Sequence, residues 1–136
     1  MTKKDIDNLS YNIIGAAIEV HKAMGPGLLE SVYHKCMMME LKDRGIPFNS
    51  EIIVPIEYKN LKQDSQLRCD LFVANCIPVE LKSVDAFVPV YEAQILTYMK
   101  FLLAPKGILI NFNCVNLFKE GQKTFVNHLY RNLKDS

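Results

Sequence analysis

The spacing of apolar residues changes period along the chain, and that change restricts it to folds that pack helices against a sheet. Between Asp5 and Met24, the residues Ile6, Leu9, Ile13, Ala17, Val20 and Met24 recur at helical intervals, so one stripe faces a core. Gly25-Pro26-Gly27 ends this helix, because glycine reaches positive φ and proline cannot continue the hydrogen-bond ladder. A second helix is expected over 28–44, with Leu29, Val32, Tyr33, Cys36 and Leu41 inward and Gly45, Ile46 and Pro47 as its stop. The pattern then becomes extended. Strands are expected over 51–58, 66–74 and 77–82, separated by turns at Tyr58-Lys59-Asn60 and at Asn75. Pro55 and Pro78 argue for edges or bulges in these strands, since proline lacks a ladder donor. A third helix over 90–103 ends at Pro105-Lys106-Gly107, and a nearly all-apolar strand over 108–113 follows. The tail over 117–133 reads equally as a strand with a turn at Gly121 or as a final helix. This order implies an α/β fold, a mixed β-sheet flanked by α-helices, in which the third helix is a crossover between strands.

With 136 residues, the chain is expected to form a single domain over 1–136. The segment MTKKDIDNLS has no apolar stretch after its lysines, and no apolar run approaches the ~20 residues of a membrane span. A cytoplasmic protein without membrane contact is therefore expected. A net charge of +1 excludes a global basic field, so any polynucleotide must be met by local positive charge or by bound cations. The four cysteines include no CxxC pair, which argues against a zinc ribbon or an iron–sulfur cluster. Cys36 reads as core. Cys69 and Cys76 could face each other across a hairpin, with free thiols the expectation.

The chemistry lies in two adjoining extended segments, Cys69-Asp70-Leu71 and Val79-Glu80-Leu81-Lys82. Side chains alternate along a strand, so Glu80 and Lys82 share one face while Val79 and Leu81 take the other. A tight hairpin would bring Asp70 beside Glu80, collecting two carboxylates and an ammonium in a small volume. Such a group suits phosphodiester hydrolysis: the carboxylate oxygens hold Mg²⁺ or Mn²⁺, and the lysine orients water or stabilises an oxyanion. The same residues on an unremarkable strand would be a solvated ion pair worth under ~1 kcal/mol. Gln94 and Tyr98 lie four apart on one helix face, where an amide and a phenol could hold a water or a phosphate oxygen. Glu30 falls in the first turn of the second helix, where the helix dipole favours negative charge.

Gly27-Leu28-Leu29-Glu30-Ser31-Val32-Tyr33 resembles the GxxExxY motif of a group of small proteins in the PD-(D/E)XK nuclease superfamily. The resemblance takes in Val20-His21, Gly25-Pro26-Gly27, Arg68-Cys69-Asp70-Leu71, Val79-Glu80-Leu81-Lys82, Glu92-Ala93-Gln94 with Tyr98, and Ile110-Asn111-Phe112, from about residue 10 to 126. It implies a restriction-endonuclease-like core, with Asp70 and Glu80 as metal ligands, Glu30 as a further acidic ligand, and Lys82 as the catalytic lysine. Gln94 and Tyr98 resemble the QxxxY motif of RecB-type nucleases. Gln94 is accordingly expected in the catalytic group, and Tyr98, Tyr33 and His21 as substrate-binding residues. Cys69 stands where the superfamily's name has proline.

The expected activity is Mg²⁺- or Mn²⁺-dependent hydrolysis of nucleic acid, with DNA as the partner. Two other expectations stand beside it. One is a nuclease fold that binds or interacts without cutting; the other is a homodimer joined through apolar patches near Phe87 or the tail.

Overall fold

The computed structural model describes residues 1–63 and 67–136. Thr2 starts the first helix, α1 (Lys3–Met24): its hydroxyl accepts from the Asp5 amide, and the Asp5 carboxylate accepts from the Thr2 amide. This reciprocal cap satisfies donors that the first turn leaves open. Ile6, Ile13, Ala17 and Val20 are buried as expected, but Met24, in the last turn, is exposed. Gly25 and Gly27 adopt φ of 71° and 92°, a conformation that side chains resist, and the chain turns there. Tyr33 pins that turn. Its hydroxyl donates to the Gly25 carbonyl and accepts from the Leu28 amide at 3.1 Å, while its ring stacks on Phe112 with centroids 4.3 Å apart.

The second helix, α2 (Glu30–Asp43), begins later than its apolar pattern suggests. Leu29 therefore sits at the N-cap and is exposed, not inward, while Met37 joins Tyr33 and Leu41 in the core. The expected strand over 51–58 is two strands. Val54-Pro55 separates β1 (Phe48–Ile53), which joins the main sheet, from β2 (Ile56–Tyr58), which belongs to a separate two-stranded sheet. β2 pairs with β3 (Leu61–Gln63) across a turn at Lys59-Asn60. Gln66, the expected start of the next strand, lies outside the described residues. β4 (Arg68–Val73) and β5 (Ile77–Lys82) form a tight hairpin across a three-residue loop, 74–76, in which Ala74 and Asn75 both adopt positive φ and the Cys76 amide donates to the Val73 carbonyl at 3.0 Å.

Helix α3 (Pro89–Phe101) crosses over to β6 (Lys106–Asn111), which runs parallel to β5. The tail contains both of its alternatives as short pieces: α4 (Leu117–Glu120), β7 (Gln122–Val126) and α5 (His128–Arg131). Gly121, between the first two, is there for clearance, because a Cβ would stand 2.5 Å from the Asn111 carbonyl oxygen. Among the described residues the main sheet has five strands in the order β1-β4-β5-β6-β7, antiparallel except for the β5–β6 pair. Pro78 is thus in a central strand and buried, contrary to its edge expectation. It precedes Val79, where pairing with β6 begins, so the donor it lacks is not needed by the parallel register. Leu71, Val73, Val79, Leu81, Ile108 and Ile110 pack with α1 and α2 in the larger core cluster; Ile95 and Tyr98 of α3 pack with Val54 and Cys69 in a smaller one. Among the described residues, no helix is long and apolar enough to cross a membrane.

Candidate active site

The hairpin register pairs Leu71 with Val79, which sets Asp70 and Glu80 side by side. The Asp70 amide donates to Glu80 Oε1 at 2.9 Å, and the Leu81 amide donates to Asp70 Oδ2 at 2.8 Å. Each carboxylate thereby spends one oxygen on the backbone of the opposing strand and keeps the other, Asp70 Oδ1 and Glu80 Oε2, for the pocket. Lys82 Nζ stands 3.9 Å from Glu80 Oε2. The sequence expectation that these three groups converge is met in the geometry.

Burial is costly for this pair. Glu80 is 4% exposed, and removal from water, followed by the nearby Asp70 charge, pushes its carboxyl up to about 8. Burial also raises Asp70, against the opposing effects of its Leu81 hydrogen bond and of His34 and Lys82. Two carboxylates held close in low dielectric lack sufficient positive charge.

Glu30 reaches the pocket through a tether between distant segments. The Ser83 hydroxyl, one residue beyond β5, donates to the Leu28 carbonyl at 2.6 Å and draws the start of α2 against the strand end. Asn111, opposite Lys82 in the β5–β6 register, is buried and grips the chain beyond β5. It accepts from the Val84 amide at 3.1 Å and donates to the Val84 carbonyl at 2.9 Å. Glu30, Asp70, Glu80 and Lys82 line one cavity of about 260 Å³, together with His34 and Glu51.

His34 and Glu51 are absent from the sequence expectations. His34 had a readable signal, since it follows Glu30 by four residues and so shares its helix face; its Nε2 lies 2.8 Å from the Ser50 hydroxyl. Glu51 had none. Its neighbours Ser50 and Ile52 pair with Leu71 and Cys69, which places Glu51 across from Asp70, and it sits at φ 52°. A glutamate in that conformation is strained by roughly 1–3 kcal/mol, a cost often concentrated at functional sites.

The other expected site residues lie apart from this cavity. Gln94 lines an adjoining groove of about 480 Å³, reached past Lys82, together with Tyr91 and Thr97. Tyr98 is buried and its hydroxyl donates to the Arg68 carbonyl at 2.9 Å; burial raises its phenol above the ordinary value. Tyr33 is buried in the turn contacts described above. His21 Nε2 lies 2.8 Å from the Cys114 carbonyl oxygen. Backbone groups thus partner the hydroxyls of Tyr98 and Tyr33 and one ring nitrogen of His21, and none of the three lines the cavity. The cysteines are free thiols, with Cys69 buried and Cys36, Cys76 and Cys114 half-buried.

Among the described residues, no three His, Cys, Asp or Glu side chains are grouped to hold a metal ion by themselves. The donor chemistry nonetheless fits a hard divalent cation. Mg²⁺ commonly takes one or two carboxylates and keeps several waters, and Asp70 and Glu80 each retain an oxygen in a pocket short of positive charge.

A mixed sheet flanked by helices, with Asp, Glu and Lys gathered at adjoining strands, defines a restriction-endonuclease-like fold. The family model for the PD-(D/E)XK nuclease superfamily matches residues 7–125, and the chain belongs to that superfamily. Among solved structures, the chain resembles the one described as the crystal structure of SSO0001, with a TM-score of 0.53 and 18% identity. That match covers 75% of this chain and 55% of the other, so this chain spans little more than half its length. At such identity the likeness concerns the fold alone. No curated protein matches the chain.

Proposed function

We propose that this protein is a Mg²⁺- or Mn²⁺-dependent nuclease that hydrolyses phosphodiester bonds of DNA, and that it belongs to the GxxExxY group of its superfamily. The observation that carries the reading is the convergence of Asp70, Glu80 and Lys82 in one cavity, with Glu30 at its wall. When bound, the cation supplies an acidified water and neutralises charge on the phosphate. Asp70 and Glu80 hold it through the oxygens not given to the backbone. Lys82 donates to a phosphate oxygen or aligns the attacking water. Glu30, in the first turn of α2, adds negative charge on the far wall. Gln94, beyond Lys82, contacts the strand as it leaves the cavity.

The test compares wild type with Asp70→Asn, Glu80→Gln and Lys82→Met on plasmid and linear DNA, with Mg²⁺ and with EDTA. Each variant is expected to lose cleavage by about 10²-fold or more while retaining a cooperative melt. Cleavage that persists in all three, or that ignores EDTA, overturns the reading. A second reading, a nuclease fold that binds without cutting, draws support from the lack of a three-ligand cluster among the described residues. It is rejected once wild type cuts and the three variants do not.

A further inference from the structure

Lys82 is held from two sides. Its ammonium nitrogen is 3.9 Å from Glu80 Oε2 and 4.6 Å from the centroid of the Tyr91 ring. The second distance is the shortest approach of an ammonium to an aromatic ring among the described residues, the others being 5.5 Å or more. The Lys82 side chain is 17% exposed, and attraction between a cation and a ring face strengthens as water is removed.

The backbone that carries the ring is itself fixed. Tyr91 lies in the first turn of α3, where Pro89 presets the helix and the Tyr91 amide donates to the Val88 carbonyl at 3.0 Å. The chain between Lys82 and that turn is gripped at Val84 by Asn111. Lys82 also forms part of the wall of both the acidic cavity and the groove beside it. A lysine has four rotatable bonds, so without a second anchor its ammonium could swing into the groove.

We propose that Tyr91 is a positioning residue that keeps the Lys82 ammonium at the acidic cavity. The inference rests on the role proposed for Lys82 and extends it. Glu80 is a poor sole anchor, because a cation drawn to the carboxylates would compete for Glu80 Oε2 and repel the ammonium. The ring does neither. It attracts the ammonium whatever the state of the carboxylates, and it offers no oxygen to a metal from its face.

The experiment uses protein labelled with ¹³C at the lysine ε-carbon, with the Lys82 signal assigned by its loss in Lys82→Arg. In wild type, the Lys82 ε-protons are expected upfield of the other lysines, shifted by the ring current, both without metal and with Mg²⁺ added. Tyr91→Phe should keep that shift and Tyr91→Leu should abolish it; leucine suits a helix, and this half-buried position is outside the core. A Lys82 signal at the ordinary lysine position in wild type, or one unchanged in Tyr91→Leu, overturns the proposal. In cleavage assays Tyr91→Leu should lower kcat about 2- to 30-fold with KM unchanged, and Tyr91→Phe should restore it to near wild type. Equal kcat in all three also overturns it. If wild type cuts nothing, the nuclease reading fails, and the ring-current shift still decides whether Tyr91 holds Lys82.

Discussion

At the residue scale, the chain accepts an unfavourable feature at Glu80. Its carboxyl is raised to about 8, chiefly by burial and then by Asp70, whereas an unfolded glutamate titrates near its ordinary 4.5. The folded state therefore holds the proton longer than the unfolded state. That contribution to stability is complete below about pH 4.5 and disappears as pH rises through about 8. Glu80→Gln keeps an oxygen for the Asp70 amide but carries no charge, so in EDTA it should melt higher than wild type by about 3–5 °C at pH 8.5 and hardly differ at pH 4.5. Thermal melts across that range check this, and a flat difference would contradict it. Adding Mg²⁺ should shrink the gap by stabilising wild type alone. Asp70, Glu80 and Lys82 were legible in the sequence because alternation along a strand fixes which side chains share a face. Glu51 was not legible, since its place depends on a left-handed backbone that nothing in its neighbours announces.

At the element scale, the site depends on where α2 begins. Two hydroxyls set that point: Tyr33 closes the turn between Gly25 and Leu28, and Ser83 ties Leu28 to the end of β5. Tyr33→Phe preserves the stacking on Phe112 but strands a carbonyl and an amide in a partly buried turn. A loss of about 1–2 kcal/mol is expected in urea denaturation, with the m-value unchanged. A loss below about 0.3 kcal/mol would show that the turn holds without the phenol. The β4–β5 hairpin was readable from Asn75 between two alternating runs. The Ser83 tether was not, because it joins residues 55 apart and a lone serine carries no periodic signal. The tail was ambiguous for a related reason: α4, β7 and α5 span four or five residues each, too few for a period of 3.6 or 2 to declare itself.

For the whole molecule, a net charge of +1 and a cavity lined by four carboxylates mean that attraction for a polyanion is weak until cations enter. Binding of a DNA oligomer, followed by fluorescence anisotropy, should be poor in EDTA and improve at least about tenfold with Ca²⁺, a hard ion added as a probe of binding. The dependence of log K on log salt should be shallow, with a slope of magnitude about 2–3, as expected for few phosphate contacts. Tight binding in EDTA with a steep slope would point to a basic surface elsewhere. The layered α/β architecture was legible from the switch of apolar period, while the separation of Gln94 and Tyr98 from the cavity was not, because spacing on a helix gives a face but not what that face meets. The exchange of backbone and side-chain hydrogen bonds between Asp70 and Glu80 has a last consequence. The amide protons of Asp70 and Leu81 are bonded to the very carboxylates that line the cavity. Their rates of deuterium uptake should thus register whatever protonates, neutralises or grips those groups, which makes two peptide units of the sheet a native gauge of the pocket's occupancy.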